Sequence, residues 1–143
     1  MFVGEYRLII DDKGRVTLPS KYRRELEEGI VITRGFDGCL SIYPKDEFEK
    51  LAETIKTLSA NTADARNYKR YWYGRANDVT PDKQGRVVIP PLLRQFANLE
   101  PEVVVVGLDN HMEVWNANAW DEFQIQLERT GAEIAEGFGN LVI

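Results

Sequence analysis

The chain has 143 residues, of which 43% are hydrophobic, 29% charged and 10% aromatic, which is enough apolar side chain for one folded unit and excludes global disorder. A single cysteine, Cys39, excludes an internal disulfide and a multi-cysteine zinc site, and no apolar run approaches the ~18 residues of a membrane-spanning helix. The net charge of −5 is uneven: residues 1–75 carry 14 Lys and Arg against 12 Asp and Glu (net +2), and residues 76–143 carry 4 against 11 (net −7).

Residues 1–7 lack the apolar core of a signal peptide, so a soluble cytoplasmic chain is expected. Strands are predicted at 6–10 and 15–18, flanking a loop that ends at Gly14, where glycine supplies a positive φ. Pro19 stops the second strand and opens a short helix over 20–26. The β-branched run 30–33 reads as a buried strand, joined by the Asp37-Gly38 turn to a strand at 40–43. From Pro44 onward, Phe48, Leu51, Ala52, Ile55 and Leu58 recur at helical spacing and predict an amphipathic helix. Asn61-Thr62-Ala63-Asp64 reads as a helix start, with a linker helix over 65–73 closed by Gly74.

The second half repeats the order. A loop ends at Gly85, a strand runs to Pro90, and a short helix covers 91–97. A strand at 103–106, the Asp109-Asn110 turn and a strand at 112–115 follow. A longer helix starts near Asn116 or Asn118, with Trp120, Phe123 and Leu127 on its apolar side. The tail beyond Gly131 is Gly-rich and ends in Leu141-Val142-Ile143; fraying and docking are both open for it.

This order reflects an internal repeat. Asp11-Asp12-Lys13-Gly14-Arg15 returns 71 residues later as Asp82-Lys83-Gln84-Gly85-Arg86. With one inserted residue the register becomes 72, and the segment from Gly35 to Tyr43 matches that from Gly107 to Trp115. One such repeat is too small to bury its own apolar face. The expected fold is therefore mainly β with α (α+β): one barrel-like β domain made by both halves, with flanking helices. The expected division is a first half at 1–60, a helical linker at 61–75 and a second half at 76–143, inseparable from one another.

Side chains alternate across a strand, so Val16 and Val87 take the core side and Arg15 and Arg86 point outward. Two outward guanidinium groups on rigid hairpins suit phosphate oxygens or guanine edges. Asp11 and Asp82 can instead brace the turns by pairing with the arginines, and the two roles are compatible. Lys13 and Lys83 add cations at the loop tips, and Lys21, Arg23 and Arg24 follow on or beside the first short helix. The second copy has Leu92 and Gln95 where the first has Lys21 and Arg24, and keeps only Arg94. The expected DNA-binding set is thus Lys13, Arg15, Lys21, Arg23, Arg24, Lys83 and Arg86, with Asp11, Gly14, Asp82 and Gly85 orienting the loops.

The linker interleaves Arg66, Lys69, Arg70 and Arg75 with Tyr68, Tyr71, Trp72 and Tyr73. It could form a stacking platform for single strands, but the helical spacing of Tyr68, Tyr71 and Trp72 favours packing. His111 and Cys39 occupy matching hairpin positions and are expected to be structural. There is no Walker loop, no His-x-x-x-His and no serine elbow. No enzymatic activity, catalytic residue, cofactor, metal or small-molecule substrate is expected. The rival readings are a protein-binding, antitoxin-like scaffold module without enzymatic activity and, less favoured, an enzyme on a related double-psi barrel.

Met1-Phe2, Gly4-Glu5-Tyr6, the two Asp-x-x-x-Arg motifs and Thr33-Arg34-Gly35-Phe36-Asp37 with Cys39-Leu40 fall in an order that, end to end, resembles the MraZ family. The resemblance implies a swapped-hairpin, AbrB-like fold in which both AbrB-like halves lie in one chain. It also implies a nucleoid-associated transcriptional regulator that binds short direct repeats of double-stranded DNA upstream of the division and cell-wall gene cluster. It further implies self-assembly into a ring-like homo-oligomer, an octamer or similar. Asp11, Arg15, Asp82 and Arg86 carry the matching motifs.

Overall fold

The computed structural model describes residues 1–139, so the terminal Leu141-Val142-Ile143 lies outside the described residues. The first repeat forms β1 (Glu5–Ile9), β2 (Arg15–Thr17), a 3-10 turn (Ser20–Tyr22), α1 (Arg23–Leu26), β3 (Ile30–Arg34), β4 (Leu40–Pro44) and α2 (Lys45–Ile55). The linker forms α3 (Ala63–Tyr73). The second repeat forms β5 (Asn77–Val79), β6 (Arg86–Val88), α4 (Pro91–Phe96), β7 (Glu102–Gly107), β8 (Met112–Asn116) and α5 (Ala117–Glu136).

The strands make a six-stranded sheet, ordered β1-β7-β8-β4-β3-β5, and a separate ribbon of β2 with β6; every pairing is antiparallel. The halves interlock. β1 leaves its own repeat to pair with β7, and β5 leaves its own to pair with β3. The repeats also meet at β4 against β8, where Ile42 faces Met112 and Leu40 faces Val114.

The class is α+β, as the sequence indicates. The ladders do not close into a barrel among the described residues: β1 and β5 are open edges, and β2 with β6 stand apart. β5, β2 and β6 are three residues each, and Pro19, Pro81 and Pro90 beside them have no N–H to extend a ladder.

The core lies between the ribbon and the large sheet. Val16, Val87 and Ile89 pack there with Ile30, Ile32, Leu40, Ile42, Val103, Val105, Met112 and Val114. The alternation of β7 sends Val104 and Val106 to the opposite face, where Trp115, Trp120 and Phe123 cover them beneath α5. Tyr43 of β4 faces the same side, where Ile55 of α2 and Trp72 of α3 pack on it. The linker aromatics therefore pack: Trp72 is 2% exposed, and its ring stacks at 6.1 Å on Phe48 and 6.2 Å on Phe36.

Helix ends follow their caps. Thr62 accepts from the Ala65 amide, so α3 starts at Ala63, two residues before the predicted start. Asn116 accepts from the Ala119 amide and starts α5. The predicted helix at 20–26 is divided into a 3-10 turn and one α turn that bury Tyr22 and Leu26. α5 runs through Gly131 to Glu136, so the first part of the segment beyond Gly131, for which the sequence leaves fraying and docking open, is helix. Ala132, Glu133, Ala135 and Glu136 beyond that glycine are strong helix formers, which outweighs the ~1 kcal/mol that an interior glycine costs.

Candidate nucleic-acid interface

Each Asp-x-x-x-Arg segment folds as a closed turn, and the two are near copies. The Asp11 amide donates to the Arg15 carbonyl at 2.9 Å, and the Gly14 amide donates to the Asp11 carbonyl at 3.0 Å. In the second turn the Asp82 amide donates to Arg86 at 3.0 Å and the Gly85 amide to Asp82 at 2.9 Å. Gly14 and Gly85 sit at φ +80° and +78°, the left-handed region that closes such a turn.

The aspartates hold these turns. Asp11 Oδ1 accepts the Lys13 amide at 2.9 Å and the Arg15 amide at 2.8 Å, while Oδ2 accepts Arg15 Nε at 2.7 Å. Asp82 Oδ1 accepts the Gln84 and Arg86 amides at 2.9 Å each, and Oδ2 accepts Arg86 Nε at 2.7 Å. Both carboxyls are held below their ordinary range, first by the backbone N–H of the following arginine. The bracing role is therefore present in the structure.

It leaves the arginines usable. Among the described residues, Arg15 and Arg86 are hydrogen-bonded through Nε and the backbone, and their Nη nitrogens make no hydrogen bond. The free Nη edge is the one that grips a phosphate or a guanine in bidentate fashion.

The ribbon sets the direction of these groups. Val16 pairs with Val87, and both are 1% exposed in the core. Arg15 pairs with Val88 and Thr17 with Arg86, so these four share the outer face. The two arginines are diagonal neighbours on this face, a placement that separates their Cα atoms by about 7–8 Å. Because the strands are antiparallel, the two turns lie at opposite ends of the ribbon. Lys13 and Lys83 are exposed at the turns.

The other expected DNA-binding residues take different places. Lys21 lies over the rings of Tyr22 and Tyr6, at 5.0 and 5.6 Å from their centres. Hydrogen bonding to Tyr6 and Tyr22 raises its pKa. Arg23 Nη2 donates to the Gln84 carbonyl at 3.0 Å, in the turn of the other repeat. Arg24 is exposed and makes no side-chain hydrogen bond among the described residues. The structure thus brings Lys13, Arg15, Lys83 and Arg86 onto the ribbon and its turns, and engages Lys21 and Arg23 with the protein itself.

Arg94, the counterpart of Arg23 in the second repeat, is not among the expected DNA-binding residues. Its guanidinium lies on Gly14, so that a β-carbon there would meet Arg94 Cζ at 2.8 Å. The matched spacing of Arg23 and Arg94 was visible in the repeat, but the cross-over contact was not.

Cys39 and His111 are each held by the protein. Cys39 is buried, donates to the Phe36 carbonyl at 3.0 Å, and has its thiol pKa pushed up by burial. His111 stacks on Tyr43 with ring centres 4.6 Å apart, and burial lowers its pKa. Among the described residues no three His, Cys, Asp or Glu side chains form a metal-binding group, and no helix is long and apolar enough to cross a membrane.

Comparison with known proteins adds a family. The family model described as "MraZ protein" and as antitoxin-like matches residues 1–71 and again 72–136, one match to each repeat. A protein named "Transcriptional regulator MraZ" from Parafrankia sp. (strain EAN1pec) is 43% identical over 136 residues, 95% of either chain. Proteins of the same name from Cutibacterium acnes and Natranaerobius thermophilus are 44% and 41% identical, over 94% and 95% of both chains.

Proposed function

The chain belongs to the MraZ family, and on that premise we propose that it is a sequence-specific regulator of transcription that grips double-stranded DNA with the outer face of the β2–β6 ribbon. The observation that carries this reading is the pair of turns whose aspartates fix Arg15 and Arg86 by Nε and leave both Nη edges outward. A two-stranded antiparallel ribbon fits the major groove of B-DNA, about 12 Å wide. Lys13 and Lys83 reach flanking phosphates from the two turns. The exchange of β1 and β5 between repeats supports a swapped-hairpin plan in which the two halves act as one unit.

The target is a set of short direct repeats upstream of the division and cell-wall gene cluster, and the protein acts in the cytoplasm at the nucleoid. Each chain offers few phosphate contacts, so a ring-like homo-oligomer, an octamer or similar, supplies avidity by linking several ribbons. The reading requires no catalytic residue, cofactor, metal or small-molecule substrate.

An antitoxin-like role in binding a protein partner is the second reading, favoured by the exposed Ile125 and Ile134 on α5 and Phe138 just beyond it. A gel shift on the chain's own upstream DNA separates the two. The DNA reading expects wild type to shift the duplex and Arg15→Ala to lose the shift at physiological salt while keeping its fold and assembly. Retained affinity in Arg15→Ala would overturn the assignment of Arg15. No shift by wild type, with capture of a single protein partner, would favour the second reading.

A further inference from the structure

Arg23 and Arg94 occupy the same position in the two repeats, and each reaches across to the turn of the other. The Arg94 guanidinium lies flat on Gly14: a β-carbon on that glycine would stand 2.8 Å from Cζ and 3.0 Å from both Nε and Nη1. The Arg23 guanidinium lies on Gly85 in the same way: a β-carbon there would stand 3.0 Å from Nη2, 3.1 Å from Nε and 3.4 Å from Cζ. Both glycines are at positive φ, which favours glycine, and the missing β-carbon leaves room for the guanidinium group.

The backbone repeats the exchange. The Leu18 amide donates to the Gly85 carbonyl at 3.1 Å, and the Ile89 amide donates to the Gly14 carbonyl at 2.8 Å. Arg23 adds its bond to the Gln84 carbonyl, whereas Arg94 Nε is buried with no partner. A buried donor left unpaired is unfavourable. The second repeat has lost the other basic residues of the short helix, Lys21 becoming Leu92 and Arg24 becoming Gln95, yet it retains Arg94.

We infer that Arg94 and Arg23 are positioning residues that hold the two DNA-contacting turns across the repeat boundary, Arg94 setting the Asp11 to Arg15 turn and Arg23 setting the Asp82 to Arg86 turn. The inference rests on the DNA-binding reading above for what the turns do, and on geometry alone for what holds them. Neither DNA-binding turn is complete within its own repeat. The contact depends on the planar fork of arginine, so lysine, a point charge on a flexible stem, does not replace it.

The test uses the full-length protein and its variants Arg94→Met, Arg94→Lys and Arg23→Met. Hydrogen exchange of the amides of Lys13, Gly14 and Arg15, all bonded to Asp11, reports on the first turn. Arg94→Met and Arg94→Lys should each speed exchange there about tenfold and leave Gln84, Gly85 and Arg86 unchanged. Arg23→Met should do the reverse. Affinity for the upstream duplex should fall roughly tenfold in Arg94→Met, with the salt dependence of binding unchanged.

Faster exchange in the variant's own repeat, or equally in both turns, would overturn the inference. So would full protection in Arg94→Lys, which would make the contact one of charge. A salt slope shallower by about 0.9 would also overturn it, because Arg94 would then be touching a phosphate. If the wild-type protein does not bind DNA, the functional reading fails, while the exchange measurements still decide what holds the turns.

Discussion

The ribbon and its turns carry four outward cations per chain, Lys13, Arg15, Lys83 and Arg86, and this number sets a salt dependence. Each phosphate neutralised on duplex DNA contributes about −0.9 to the slope of log affinity against log salt, so four contacts make a slope of about −3.6 per engaged subunit. Affinity then falls about 150-fold between 50 and 200 mM salt. Removing one contact with Arg15→Ala brings the slope to about −2.7 and the fall to about 40-fold. Fluorescence anisotropy on a labelled upstream duplex, titrated at several salt concentrations, reads both slopes. Asp11 would keep its two backbone amide bonds in that variant, so the turn should hold. A slope equal to that of wild type would show that Arg15 meets no phosphate. A wild-type slope near zero would remove the ribbon from the interface altogether.

Gly107→Ala places a β-carbon against the Val3 amide and the Phe2 carbonyl carbon, and backbone atoms there cannot yield. The expected result is release of Phe2, now 3% exposed, and a loss of about 2–4 kcal/mol in denaturant melts; a loss below about 1 kcal/mol would contradict that packing. Asp11 and Asp82 protonate in the folded chain below their ordinary 3.8, so the stability they contribute is complete above that value and is lost as pH falls through the folded value. Melting temperatures followed from neutral pH downward should drop less steeply on the acid side in an Asp11→Asn, Asp82→Asn double variant than in wild type; equal acid limbs would show that the carboxylates do not hold the turns. Cys39 is buried, and its thiol is pushed up by that burial. It should resist a thiol reagent at neutral pH and react on unfolding, and rapid native labelling would refute its placement.

Much of the local structure is legible in the sequence because it depends on neighbours along the chain. The Asp-x-x-Gly-Arg turns follow from one acid, one glycine and their spacing, and the structure reproduces them twice with the same bonds. The outward direction of Arg15 and Arg86 follows from alternation against Val16 and Val87. Partnership between distant strands is not legible in the same way. Periodicity marks Tyr6 to Ile9 as strand but does not tell whether β7 or β3 receives it. The same limit hides the cross-over of Arg23 and Arg94, which reads as loose surface charge until Gly85 and Gly14 are placed beneath the guanidinium groups. Lys21 is a related case, since its position over Tyr6 and Tyr22 depends on the N-terminal strand lying beside the short helix. The continuation of α5 through Gly131 went against a local breaker because the residues beyond it favour helix.

Site-specific photo-crosslinking asks whether the outer face of the β2–β6 ribbon meets DNA. A photoreactive side chain at Val88, which is 46% exposed on that face, is compared with one at Ile125, 57% exposed on α5. With the upstream duplex at physiological salt, crosslinks are expected from position 88 and none from position 125. Crosslinks from 125 with none from 88 would place the DNA elsewhere and contradict a ribbon interface.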